Sequence, residues 1–236
     1  PGNSKMSPNE DVLSAASTAQ SVSGVTNDYA FQSVLMNANY SYADRYVLQA
    51  SFRRDGSSRF GSNSKYGNFF SVSSAWNIHQ EDFFKSTAIN FLRLKAAYGG
   101  VGNTPETLYP QYELFSVNAQ YNGRPTAFPS ALGNKDLTWE KTYSTNLGLE
   151  AGIYNRVNFT LELYHKNTSG LLHFVPLPFI SGYNGYWDNI GSVLNKGLEF
   201  TVDAKVIKTE SFTWDLNVNV GLNRNKVKEL YGGKRQ

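Results

Sequence analysis

The residues of this sequence with chemical potential are scattered, and they do not converge. Three histidines, His79, His165 and His173, stand apart with no partner at metal-ligand spacing. No Asp-x-Asn-x-Asp-Gly run offers a calcium loop, and no serine lies in a Gly-x-Ser-x-Gly elbow. Gly99-Gly100-Val101-Gly102-Asn103 lacks the third glycine of a dinucleotide fingerprint, and no helical pattern follows it. It reads as the exit of a strand into a loop. Glu150 and Glu162 could be paired for acid–base work, but lone carboxylates are common on a wet strand face. The sequons Asn158-Phe159-Thr160 and Asn167-Thr168-Ser169 are short enough to arise by chance. The chain has no cysteine, which removes disulfides, thiolate metal sites and cysteine nucleophiles. No catalytic residue, metal or cofactor is expected.

Two groups suit recognition better than catalysis. Arg53, Arg54, Asp55 and Arg59 form the densest charged cluster, either a structural network or a contact for a polar solute. Tyr109, Tyr112, Tyr121, Tyr183, Tyr186 and Trp187 lie in long irregular stretches. There they either stack on a ligand's rings or pack loop against loop.

What must position these residues is legible in a period of two. From Phe212 to Asn223 the even positions are Phe212, Trp214, Leu216, Val218, Val220 and Leu222, and no odd position is apolar. A helix would scatter these types around its circumference, so the segment is a strand. The same alternation runs through Val34–Ser41, Tyr46–Arg53, Phe70–Ile78, Leu92–Gly99, Thr142–Ala151, Val157–Leu163 and Leu198–Lys205. Strands of soluble domains usually run about five or six residues. A strand of about ten residues at ~3.3 Å rise and ~40° tilt crosses about 25 Å, the height of an outer-membrane barrel's apolar band.

The connections alternate as well. Those at Ala43–Asp44, Ile153–Arg156 and Ile207–Ser211 are short, and those near 55–66, 100–137 and 168–194 are long. Bacterial barrels place short turns in the periplasm and long loops outside. By the same parity the medium connection His79–Asn90 is periplasmic, with a helical turn expected at Glu81–Lys85. Tyr40, Tyr42, Tyr46, Trp76 and Phe212 mark the short-turn end, and Phe69, Phe70 and Tyr98 the long-loop end, as girdle aromatics do. Residues 1–27 read as a polar lead-in. There Ser7-Pro8-Asn9-Glu10 resembles a capping box that would start a short loop helix. Residues 28–224 carry the eight strands, and 225–236 read as the start of a further loop.

Composition agrees. Charged residues are 17% of the chain, well below the usual share of about 25%, and aromatics reach 14%. That excludes disorder. A scattered net charge of +3 gives no nucleic-acid footprint. No apolar stretch reaches the roughly 18 residues of a membrane helix. The chain opens on Pro1 without a signal peptide, which reads as a fragment or processed product.

Five strings, in order, carry a resemblance. They are Arg45–Gly61 with its Arg-Asp-Gly-Ser-Ser-Arg-Phe, Leu92–Gly99 with Gly102-Asn103, Leu137–Thr142, Tyr164–Leu172, and Asn189–Phe200 with its Asn-Lys-Gly-Leu-Glu. Together the chain resembles the SusC/RagA-like branch of TonB-dependent transporters of Bacteroidetes. The resemblance implies an all-β, antiparallel transmembrane barrel, of which these are about eight strands out of about 22. It also implies an outer-membrane location in a Gram-negative bacterium and uptake of oligosaccharides or peptides. The partners implied are a SusD-like surface lipoprotein acting as a lid, and TonB, reached through a plug and TonB box that are not seen in this sequence. Lid contact then becomes a second role for the loop aromatics. Two alternatives are a stand-alone eight-stranded barrel serving as anchor or adhesin, which would have to close on itself, and a soluble sandwich, for which the strands are too long.

Overall fold

The computed structural model describes residues 5–6, 16–18 and 26–231. Two short strands, β1 (Lys5–Met6) and β2 (Ala16–Thr18), pair with each other. The helix expected after Ser7 lies outside the described residues. Then come β3 (Phe31–Tyr42), β4 (Tyr46–Ser57), β5 (Tyr66–Asn77) and β6 (Ile89–Asn103). A hairpin of β7 (Leu114–Tyr121) and β8 (Arg124–Ala131) precedes β9 (Glu140–Ile153) and β10 (Val157–Ser169). A second hairpin, β11 (Leu172–Pro176) and β12 (Gly185–Asn189), precedes β13 (Ser192–Lys208) and β14 (Thr213–Glu229).

The eight alternating segments form one antiparallel sheet in the order β14-β13-β10-β9-β6-β5-β4-β3. Each is joined to its neighbours along the chain, so the sheet is a meander. It does not close. Strands β3 and β14 are its two edges, and nearly every residue of both is exposed.

The register puts the apolar halves of the alternation on one face. Leu163, Leu198 and Leu222 sit in one cross-strand row, and Leu161, Phe200 and Val220 in the next. Tyr46, Trp76, Leu94 and Leu149 continue that second row at the far side of the sheet. A one-residue slip would turn every apolar side chain to the wet face, so the pattern itself specifies the pairing. This apolar face is uncovered: Met36, Leu48, Val72, Leu147, Leu216 and Val220 are all exposed. Monomeric soluble proteins rarely expose so continuous an apolar surface.

Several strands outrun the lengths that alternation alone marks. β6 continues through the glycine run to Asn103, because Gly102 leaves room for the ring of Phe69; an added Cβ there would stand 2.1 Å from Phe69 Cζ. β14 continues to Glu229, so the further loop expected from residue 225 starts later. The outward positions past Leu222 are Arg224 and Lys226, so hydropathy stops alternating while the hydrogen-bond ladder goes on.

At the short-turn end, Ala43 and Asp44, and again Tyr154 and Asn155, take positive φ between 51° and 54°. Asp and Asn tolerate that region better than most residues. The β5–β6 connection has a 3-10 turn at Ile78–Gln80, and a further turn follows within the expected Glu81–Lys85, where Phe84 N donates to Glu81 O at 2.9 Å. The Glu81 side chain ties this connection to the wall. It is drawn back to the sheet, accepting from Tyr46 Oη at 2.6 Å, Trp76 Nε1 at 2.8 Å and Arg45 Nη1 at 3.3 Å. The Tyr46 hydroxyl, then Trp76 and Arg45, hold the Glu81 carboxyl below its ordinary pKa. Tyr46 and Trp76 stack at 6.4 Å, and Phe83 meets Trp76 edge-on. Two girdle aromatics and the connection are thus tied into one unit.

Candidate functional site

The buried core of this molecule lies at the long-connection end of the sheet, where Phe69 of β5 meets residues of the connections. Phe60, Phe69, Leu137 and Trp139 form it, with Leu172 and Trp187 packed alongside. Trp139 is central: its ring lies 4.8 Å from Phe60, 5.5 Å from Phe69 and 6.3 Å from Phe31, and its Nε1 donates to Ser64 O at 3.1 Å. Phe31 and the stretch from Phe60 to Phe69, both far from Trp139 in sequence, therefore converge on one indole.

Polar side chains knit the loops above it. Asn189 accepts from Thr138 N at 2.7 Å and donates through Nδ2 to Thr138 O and Gly170 O. Glu140 accepts from Asn103 Nδ2 and from Leu172 N, bridging the ends of two long connections. Gln111 donates to Ser58 O, and Asn134 to Trp187 O. Each closes a backbone group that a buried loop would otherwise leave unpaired.

The arginine cluster divides between faces. Arg53 lies on the polar face with Nε 2.7 Å from Asp55 Oδ2, an ion-pair contact without hydrogen-bond alignment. Asp55 is fully buried, and its other oxygen accepts from Ser33 Oγ at 2.7 Å. Arg59 donates to Pro105 O at 2.8 Å, with its guanidinium 4.7 Å over the Tyr29 ring. Arg54 points to the opposite, apolar face, over Tyr66 at 4.9 Å. The four residues are neighbours in sequence but do not form one site.

The loop aromatics also divide. Tyr109 Oη donates to Asp28 O and accepts from Asp28 N. Trp187 sits edge-on to Phe174 at 6.0 Å. Tyr183 Oη donates to the Glu113 carboxylate, which raises the phenol's pKa. Tyr186 is pushed up to about 12, first by its hydrogen bond with Tyr231. Tyr112 and Tyr121 remain exposed, Tyr121 at 80%.

Two hairpins that the period of two does not mark carry Tyr121, Tyr183, Tyr186 and Trp187. β7 and β8 meet at Asn122-Gly123, both at positive φ, a dipeptide that marks a tight hairpin. That signal was in the sequence. Phe179 and Ile180, at 96% and 97% exposure, crown the β11–β12 hairpin, and Phe115 and Val117 are exposed on β7. The run Pro176-Leu177-Pro178 ahead of Phe179 holds that tip away from regular pairing.

On the polar face of the wall, Lys95 Nζ bridges Glu150 at 2.5 Å and Glu162 at 3.3 Å, with Arg93 3.5 Å from Glu150. The two carboxylates are held by cations from β6. His79 Nδ1 lies 3.0 Å from Leu92 O, far from His165 on β10 and His173 on β11.

A long-stranded open meander, apolar outside, polar inside and capped by packed loops at one end, is a wall of a membrane-type β-barrel. The chain belongs to the TonB-dependent receptor-like β-barrel family, which matches residues 3–235, and to its SusC/RagA-like branch. It is 39% identical over 204 residues to TonB-dependent receptor P39 of Formosa agariphila, covering 86% of this chain and 20% of that protein. It is 36% identical over 207 residues to TonB-dependent receptor SusC of Bacteroides thetaiotaomicron, covering 83% and 20%. The solved RagAB peptide transporter superposes with a TM-score of 0.84 at 31% identity, covering 97% of this chain and 26% of that one. The chain thus spans about a fifth to a quarter of the relatives it matches.

Proposed function

We propose that this chain is the wall and outer-loop segment of a SusC-like transporter that imports oligosaccharides or peptides across the outer membrane. It acts by transport and not by catalysis. The observation that carries the reading is the open two-faced sheet: its apolar face suits lipid, its polar face suits a solute path, and both edges await further strands. A stand-alone eight-stranded barrel would require β3 and β14 to pair, and here they are opposite edges. The polar face, lined by Gln49, Ser73, Lys95, Asn146 and Glu162, supplies hydrogen-bond partners without a closed pocket. TonB coupling and the plug belong to the rest of such a transporter. A relative of known structure is named a peptide transporter, which supports peptides as one substrate class.

The loop hairpins supply the surface for a SusD-like lid, with Phe179 and Ile180 as apolar anchors. Tyr112 and Tyr121 remain available to either lid or solute, whereas Arg53, Arg59, Tyr109 and Trp187 chiefly brace the loops.

The topology has a direct test. Cysteines placed at Asn122 and Asn184 in the full-length protein are expected to react with an impermeant maleimide on intact cells, and one at Asp44 is not. Labelling at Asp44 alone inverts the assignment of the two ends.

A further inference from the structure

Where the apolar band ends on the outward face, the side chains become basic. Lys196 of β13 is paired directly with Arg224 of β14, and Lys226 follows on the same face opposite Leu194. All three are exposed. Lys196 and Arg224 sit one outward position beyond Leu198 and Leu222, and Lys226 two beyond Leu222, at the long-loop end of their strands. Trp214, at the short-turn end of β14, and Arg224 are ten residues apart. At ~3.3 Å per residue and ~40° tilt that separation is about 25 Å, one membrane band high. Arg224 therefore stands at headgroup level when Trp214 stands at the other interface.

Like charges directly opposite one another are unfavourable in a sheet. No acid is paired with any of them across the strands. No Asp or Glu takes an outward position on β10, on β13, or on β14 up to Lys226, and the next acid, Glu229, follows a register break opposite Ser192. None of the three cations has a salt bridge among the described residues.

We infer that Lys196, Arg224 and Lys226 form a binding site for the phosphate of an outer-leaflet lipid. Arg224 offers a planar fork for two phosphate oxygens, and the lysines supply point charges on either side. Leu198 and Leu222 below receive the first methylenes of the acyl chains. The inference rests on the membrane-wall reading, because the site is defined by its height above the apolar band.

The test uses the full-length protein, titrated in detergent with lipid A carrying two phosphates and with the same lipid after phosphate removal, and read by native mass spectrometry. The triple variant Lys196→Gln, Arg224→Gln, Lys226→Gln is expected to bind the phosphorylated lipid at least tenfold more weakly. Lys196→Arg with Lys226→Arg should keep the affinity, and the dephosphorylated lipid should not distinguish wild type from variant. Heat-dependent gel mobility verifies that each variant is folded. Equal affinity of wild type and triple variant overturns the proposal. So does equal displacement by millimolar inorganic phosphate, which would mean a free anion site. A fluorophore at Val218→Cys, quenched by brominated acyl chains in vesicles, keeps the two readings apart. Quenching there with unchanged lipid affinity removes only this site, and absence of quenching removes the wall.

Discussion

Val218→Arg is expected to destabilise the assembled barrel by about 2–4 kcal/mol, the cost of a cation on the lipid face near mid-membrane. Val218 lies midway along the outward apolar run from Trp214 to Leu222 and faces Val202 across the strand pair. The long Arg side chain has no acid on that face with which to pair. Asn219 is the control. It points the other way, bonded to Thr201 Oγ1 at 2.8 Å and to Asn217 at 2.6 Å, both exposed. Asn219→Arg loses those bonds but keeps its charge in a wet environment, at a cost of about 1 kcal/mol. The comparison is made by urea titration of the full-length protein in lipid vesicles. Equal midpoints for the two variants contradict the facing assignment.

Trp139→Ala is the second large effect. Its side chain is 3% exposed and touches three aromatic rings at the base of the outer loops. Truncating a buried Trp costs about 3–5 kcal/mol, and here Ser64 O also loses its donor. The loss falls on the loops before the wall, since the wall's ladders do not pass through the indole. Outer-loop segments around residues 104–139 and 170–191 should become sensitive to added protease on intact cells while the barrel keeps its gel mobility. Tyr121→Ala, at an exposed hairpin tip, should change stability by no more than ~0.5 kcal/mol. If Trp139→Ala leaves the loops as resistant as wild type, the loop core is not what holds them.

The contrast between these sites shows what one sequence discloses. All eight wall strands are legible because one apolar face and one polar face impose a period of two. The register follows from the same period. The strand ends are less legible, since past the band both faces are wet and residues such as Lys196, Arg224 and Lys226 no longer alternate by hydropathy. The loop core is hidden for a different reason. Phe60, Leu137, Trp139 and Trp187 are spread over long connections, and only three-dimensional convergence makes them one cluster. The arginine cluster misleads in the same way: adjacency along a strand sends Arg53 and Arg54 to opposite faces. Asn122-Gly123 is the exception, a hairpin that local chemistry announces.

This sheet is an open stretch of a larger barrel. Its edges, β3 and β14, present unpaired backbone groups, and each such group costs several kcal/mol in hydrocarbon. The most direct measurement refolds the 236-residue chain alone in lipid bilayers. Aggregation or failure to insert is the expected result. A monodisperse, protease-resistant, eight-stranded monomer, with β3 cross-linked to β14 by cysteines at Met36 and Val220, would contradict it.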